Sequence, residues 1–186
     1  MKLIRIILAI VISSTFLYSC NETKKAKIED VDTETTCETP DSTIYGVCGE
    51  GTAMNTLQLI TDLGDTLEYS LLDNDDNPVN VQGGLMAGDR MAVMGTTVSD
   101  TRIATTVINI TTLLGKWTSI DKNFEIQEGG LVKSNVKAEN NSWTSWKILN
   151  GRLLLNKDTF IVNTLGADSL YLENDTGIFV YKRQLK

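Results

Sequence analysis

There is no histidine among the 186 residues of this chain. That absence removes the commonest general base at neutral pH, and with it Ser-His-Asp catalysis, Cys-His catalysis and histidine-ligated zinc. The chain also lacks a Gly-x-Ser-x-Gly elbow, a phosphate-binding loop and any cysteine cluster at metal-ligand spacing. Its carboxylates are scattered through turns. A carboxylate-driven hydrolase is therefore the remote alternative for a sequence that reads as non-enzymatic, without cofactor or metal site. Asp73-x-Asp75-x-Asn77 alternates oxygens as a calcium loop does, but Pro78 and Gly84 stand where such a loop needs glycine and glutamate. Basic residues are few, 17 Lys and Arg against 24 Asp and Glu, for a net charge of −7. A surface of that sign repels phosphate backbones, so nucleic acid is not an expected partner. No apolar run reaches the ~20 residues of a membrane-spanning helix, and no window carries a helical stripe of useful length.

What is present begins with an export signal. Lys2 and Arg5 precede an apolar run from Ile6 to Ile12, which continues through Ser13-Ser-Thr15 to Phe16-Leu17. That is the layout of a secretory signal. Leu17-Tyr18-Ser19-Cys20 resembles a lipobox, with Tyr18 where a small residue is usual. The resemblance implies cleavage after Ser19 and lipidation of Cys20. Multiple acyl chains make such an anchor stable. Asn21, rather than Asp, after Cys20 makes the outer membrane the expected location, on either leaflet. The remaining 167 residues hold 15 basic and 24 acidic side chains, enough chain for one ordinary domain or two small ones.

Residues 21–42 are rich in Thr, Glu and Asp and nearly free of large apolar side chains. They read as a flexible tether, which as a coil would hold the body roughly 25 Å from the anchor. Cys37 and Cys48 flank Pro40 and Gly46. In an oxidising compartment they are either a disulfide, worth roughly 2–3 kcal/mol if unstrained, or two separate thiols.

Beyond the tether the apolar period is two. Strands are expected at about 44–47, 55–61 and 67–71, at 88–95 ending on Gly95, and at 101–111. Five short strands over residues 43–112 resemble an OB-like small barrel, although 73–88 is too short and Gly-rich for the helix usual there. From residue 113 to 186 about eight strands follow: 117–120, 124–127, 131–137, 143–149, 152–156, 159–163, 169–173 and 178–183. Asn150-Gly151 is the clearest hairpin turn, and the even spacing suggests an up-and-down barrel or meander. The fold class is thus all-β, two small barrels after a signal peptide (1–19) and a lipidated tether (20–42).

Within 113–186, Gly115-x-Trp117, Trp146-Lys-Ile148, Gly151-x-Leu153-x-Leu155, Leu170-Tyr-Leu172 and Tyr181-Lys-Arg183 resemble the lipocalin-like domains of Gram-negative envelope lipoproteins. The resemblance implies that Trp117 sits at the closed end of the barrel with Arg183 or Lys182 packed over it, a contact worth roughly 0.5–2 kcal/mol. Alternation places Leu153, Leu155, Phe160, Val162, Leu170, Leu172, Phe179 and Tyr181 on one apolar face. With strands this short they read as filling the barrel rather than lining a ligand pocket. Trp146 shares parity with Ile148 and is expected inside. Trp143 shares parity with Lys147 and is expected outside or at a rim, where it could meet a partner or a sugar ring; a bulge that buries both is the alternative.

The reading is a membrane-anchored binding or assembly protein with an unknown envelope protein or glycan as partner. The alternative is a carrier of small apolar ligands. Replacing Cys20 by serine is expected to abolish metabolic labelling by a lipid probe and to move the protein out of the membrane fraction; unchanged labelling would refute lipidation.

Overall fold

A computed structural model describes residues 40–136 and 142–184. The expectations for the signal peptide, Cys20, Cys37 and the tether up to residue 39 lie outside those residues; the tether's last residues are described, and Ser42 bonds to Asn150. The first barrel is built from β1 (Ile44–Cys48), β2 (Thr56–Thr61), β3 (Thr66–Ser70), β4 (Asn80–Gln82), β5 (Arg90–Val98) and β6 (Thr101–Asn109). β1 pairs antiparallel with β2 and with β5, β2 with β3, and β5 with β6. A parallel contact between Ser70 of β3 and Ile103 of β6 closes a five-stranded barrel. β4 continues the line of β3 along the same edge of β6, with Val81 opposite Val107. A loop of residues 72–78 separates the two pieces, and no helix stands between them.

Two local features of this barrel differ from the expectation of a strand ending at Gly95. β5 runs on to Val98 and turns through Ser99-Asp100, whose φ values of 47° and 67° suit the primed turns of two-residue hairpins. The pairing of β5 with β6 shifts register between Met94 and Gly95. A Cβ on Gly95 would lie 2.8 Å from the Ile103 carbonyl oxygen and from the Tyr69 ring. Gly95 therefore marks a bulge that bends the strand, not its end.

The second barrel contains β7 (Gly115–Thr118), β8 (Asn123–Gln127), β9 (Leu131–Ser134), β10 (Trp146–Leu149), β11 (Arg152–Leu155), β12 (Asp158–Leu165), β13 (Ser169–Asn174) and β14 (Gly177–Arg183). All eight are antiparallel neighbours in a meander that joins β14 back to β7. β9 and β10 leave it nearly closed, bridged at Leu131 and Ser145 and by the Val132 N–H to Thr144 O bond of 3.0 Å. Asn150 and Gly151 both have positive φ, 48° and 71°, as the Asn-Gly hairpin requires.

Between the barrels the chain does not run as an extended strand to Thr111. β6 stops at Asn109, whose side-chain oxygen accepts from Thr112 N–H at 2.9 Å and opens one helical turn, α1 (Ile110–Leu113). Asn109 is 1% exposed. Its amide donates to Asp89 Oδ2 at 2.7 Å and to the Gly84 carbonyl at 3.1 Å, which satisfies a polar group that would otherwise be costly to bury.

The passage is packed on both sides. Ala92, Ile108, Ile110 and Leu113 belong to the same buried cluster as Trp117, Leu153, Leu170 and Tyr181 of the second barrel. The first barrel keeps its own cluster around Leu57, Leu59, Met91 and Val107. β4 also meets β12. The Gln82 side chain accepts from Leu165 N–H at 2.8 Å and donates to Asn163 O at 3.0 Å, which imitates a backbone strand pair.

At this end of the second barrel Trp117 is fully buried, and the Arg183 guanidinium lies 4.2 Å from its ring centre. The indole N–H donates to the Leu113 carbonyl at 2.9 Å. Arg183 donates to Leu114 O at 2.8 Å and also to Thr112 O and Ala167 O. The last carbonyls of α1, which a helix leaves unpaired, are thereby taken up by this Trp-Arg pair. Gly115 has φ +131°, and a Cβ there would come within 2.5 Å of Arg183 Nη1.

Arg183→Lys is expected to destabilise by about 2–3 kcal/mol, because a single ammonium cannot replace the fork that reaches three carbonyls. Gly115→Ala should cost roughly 1–3 kcal/mol through backbone strain. Chemical denaturation would measure both, and wild-type stability in the lysine variant would refute the capping role.

Candidate functional site

The second barrel has two distinct ends. At the end away from α1 a chain of rings fills the interior. Phe124 stands edge-to-face with Trp143 at 5.0 Å and with Tyr181 at 5.1 Å. Phe160 stands likewise against Trp143 at 5.8 Å and Phe179 at 5.9 Å. Seven of the eight interior positions read from alternation, Leu153, Leu155, Phe160, Val162, Leu170, Leu172 and Tyr181, are buried; Phe179 is half-buried. The interior is thus occupied by side chains.

Trp143 corrects the expectation of an outward aromatic. It is 6% exposed, its indole N–H donates to Asp158 Oδ2 at 3.0 Å, and the Lys122 ammonium lies 4.2 Å from its ring centre. The parity argument failed because β10 begins at Trp146 and residues 142–144 precede it without regular strand geometry. Asn156 holds that segment, its side-chain oxygen accepting from Thr144 N–H at 2.8 Å and Ser145 N–H at 3.0 Å. Both tryptophans can therefore turn inward. Cys48 is a free thiol, 1% exposed in the first barrel, with its sulfur 3.3 Å from Thr52 Oγ1. The Asp73 carboxylate accepts from the backbone of Asp75 at 2.9 Å and of Asn77 at 2.8 Å, so it closes its own turn. Among the described residues no group of three acidic or cysteine side chains is placed to hold a metal ion.

Where the barrels adjoin, an open cleft of about 460 Å³ is lined by Tyr45, Arg90, Leu114, Glu128, Trp146 and Lys147, among others. Its parts come from β1, β5, α1, β10 and the 3-10 turn Glu128–Gly130. Trp146 is half-buried, packed on the core, with its indole N–H tied to Gln127 O at 2.7 Å. Its ring is therefore held in one orientation. Tyr45 donates its hydroxyl proton to Ile148 O at 2.6 Å, across from the first barrel to the second. Burial and the nearby Asp41 carboxylate push that phenol above its ordinary pKa, so it stays a donor. Arg90 is clasped by Asp62, with one bond of 2.6 Å and a second shorter one. The guanidinium beside Asp62 holds its carboxyl below the usual carboxylate range. Glu128 and Lys147 are exposed on the rim. The cleft joins two fixed aromatic surfaces to both signs of charge.

Of the residues singled out from sequence, Gly115, Trp117 and Arg183 converge at the junction of the barrels, while Trp143 lies at the opposite end of the second barrel. Trp146 carried an inward signal, and the half of its ring left at the cleft was not legible. Tyr45, Arg90 and Glu128 carried no signal in sequence, because the cleft exists only once the two barrels meet.

No protein-family model, no curated protein and no solved structure matches this chain.

Truncating Trp143 to alanine is expected to destabilise by about 3–5 kcal/mol, as loss of a buried aromatic does. Phe160→Ala should behave alike. A Trp143 variant that unfolds with wild-type stability would contradict its interior placement.

Proposed function

We propose that the protein is an envelope lipoprotein, anchored through lipidated Cys20, with a non-catalytic binding or assembly role exercised through surface contacts to a protein or glycan. The observation that carries the reading is the inter-barrel cleft, with Trp146 and Tyr45 held rigid between Arg90, Glu128 and Lys147. A half-buried aromatic ring beside charged rim groups suits either the apolar face of a sugar ring or an amphipathic side chain of a partner. Binding sites concentrate where domains adjoin, and tryptophan and arginine dominate contact energies.

The chain enters the body close by. Ser42 N–H donates to Asn150 Oδ1 at 2.9 Å, and Asp41 accepts from Thr43 N–H at 2.9 Å. Residues 41–43 are therefore fixed to the β10–β11 turn, on the side of the barrel where the cleft opens. The alternative, carriage of a small apolar ligand within the second barrel, is weakened by the rings and aliphatic side chains that occupy its interior.

Glu128 and Lys147 are exposed, so replacing both by alanine should change stability by no more than about 0.5 kcal/mol. The same double variant should lose the partner recovered in a pull-down from native membranes. Undiminished recovery would remove the cleft from consideration. Saturable binding of a fatty acid, retained in this variant, would favour the carrier instead.

A further inference from the structure

A second open cleft, of about 590 Å³, lies between β14 and the turn that joins β7 to β8. It exists because the barrel seam is only partly stitched. β14 pairs with β7 at Lys182 opposite Thr118 and Arg183 opposite Trp117, and no further along. On its other side β14 pairs with β13 over the full length from Gly177 to Lys182.

Backbone direction follows from two bonds. Arg183 N–H donates toward β13, to Asp168 O at 2.8 Å, while Gln184 N–H donates toward β7, to Lys116 O at 2.9 Å. Successive backbone groups in a strand point to opposite edges. The N–H and C=O of Val180 and Ile178 therefore face the cleft, and no strand of the described residues pairs with them there.

The side chains around this edge are apolar and open. Ile120 at the tip of the β7–β8 turn is fully exposed, Ile178 is 62% and Val180 47% exposed. Tyr171, opposite Val180 on β13, extends the same outer face. Nothing in residues 177–181 blunts the edge with a charge or a proline, the usual protection of an unpaired strand.

We propose that this opening is a strand-addition site, which takes an extended peptide segment of a partner protein along the Ile178–Val180 edge of β14. Alternating free N–H and C=O groups at strand spacing are matched by another polypeptide backbone. Lys122 and Lys182 line the slot against the single carboxylate of Asp121, in a chain whose net charge is −7. The segment that fits is apolar at alternate positions and carries a carboxylate at its flank. A second copy of this chain fits less well. Two-fold pairing centred on Phe179 would set the copy's Thr176 opposite Lys182, where Thr118 already stands. The site is independent of the inter-barrel cleft and of lipidation at Cys20.

The test is selection from a phage-displayed random dodecapeptide library on the full-length chain in detergent, with the variant Val180→Pro in parallel. Proline at 180 removes an N–H that faces the cleft and leaves the ladder to β13 intact. Enriched peptides should alternate apolar residues and carry acidic flanks. They should bind Val180→Pro at least tenfold more weakly, and N-methylation of alternate peptide amides should abolish binding. Should the proline variant misfold, the N-methylated peptides, together with hydrogen-exchange protection of the Ile178 and Val180 amides on binding, decide the question alone. No enrichment over bare surface, or equal binding to the proline variant, overturns the proposal. A concentration-dependent dimer in sedimentation velocity that Val180→Pro abolishes assigns the edge to a second copy and overturns it as well.

Discussion

The guanidinium of Arg183 holds together parts of the chain that are distant in sequence. It lies over the ring of buried Trp117 and donates to carbonyls of Thr112, Leu114 and Ala167, while the Trp117 indole takes the carbonyl of Leu113. Those carbonyls belong to the end of α1 and to the β12–β13 turn. A short helix between two barrels would otherwise end with bare acceptors in a half-buried place, at a cost of about 1–3 kcal/mol for each one left unmade. The fork and the indole together remove that cost and at the same time tie β14 to β7, the first strand of the second barrel. Burial lowers the pKa of this guanidinium; an arginine side chain nonetheless stays charged in proteins, so the contact keeps its charge. The close approach also explains the glycine at 115, since no side chain fits between the strand and the fork.

From that junction the two barrels acquire a shared interior. The outer wall of the first barrel, through Ala92 and Ile108, seals the end of the second that the Trp-Arg pair closes. The opposite end is filled by the rings of Phe124, Trp143, Phe160, Phe179 and Tyr181. A barrel of eight strands has just enough room for its own side chains, and here they take it. The recognition we propose therefore falls to the outside, to the cleft between the barrels and to the loosened seam beside β14.

These two surfaces differ in what they offer. The inter-barrel cleft presents rings locked by hydrogen bonds to backbone carbonyls and an Arg90 held by Asp62, with Glu128 and Lys147 exposed at the rim, so ordering the rings on binding would cost little. The seam presents unpaired backbone. Tight closure there would have needed β7 to follow β14 past Thr118, but Ser119 N–H turns back to Lys122 O at 2.7 Å. The turn opens the seam.

The pattern of alternation by itself determined that the chain is all-β, where most of its strands lie, the short β4 excepted, and that Leu153, Leu155, Phe160, Val162, Leu170, Leu172 and Tyr181 of the second barrel point inward. Alternation reports burial on one face, and short antiparallel meanders depend on little else. Gly115, Trp117 and Arg183 were legible only through resemblance to a known motif, which left Lys182 as the alternative to Arg183; the strain at Gly115 and the three carbonyls met by the fork emerged from the structure. Tertiary structure alone decided the rest. Trp143 was turned inward by the Asn156 bonds that break strand parity ahead of β10. Gly95 became a bulge because Ile103 and Tyr69 crowd it from other strands. The cleft draws Tyr45 and Trp146 from positions about a hundred residues apart, and no local period encodes such a distance. Local pattern specifies which face is buried; only the docking of one barrel on the other specifies what the remaining faces meet.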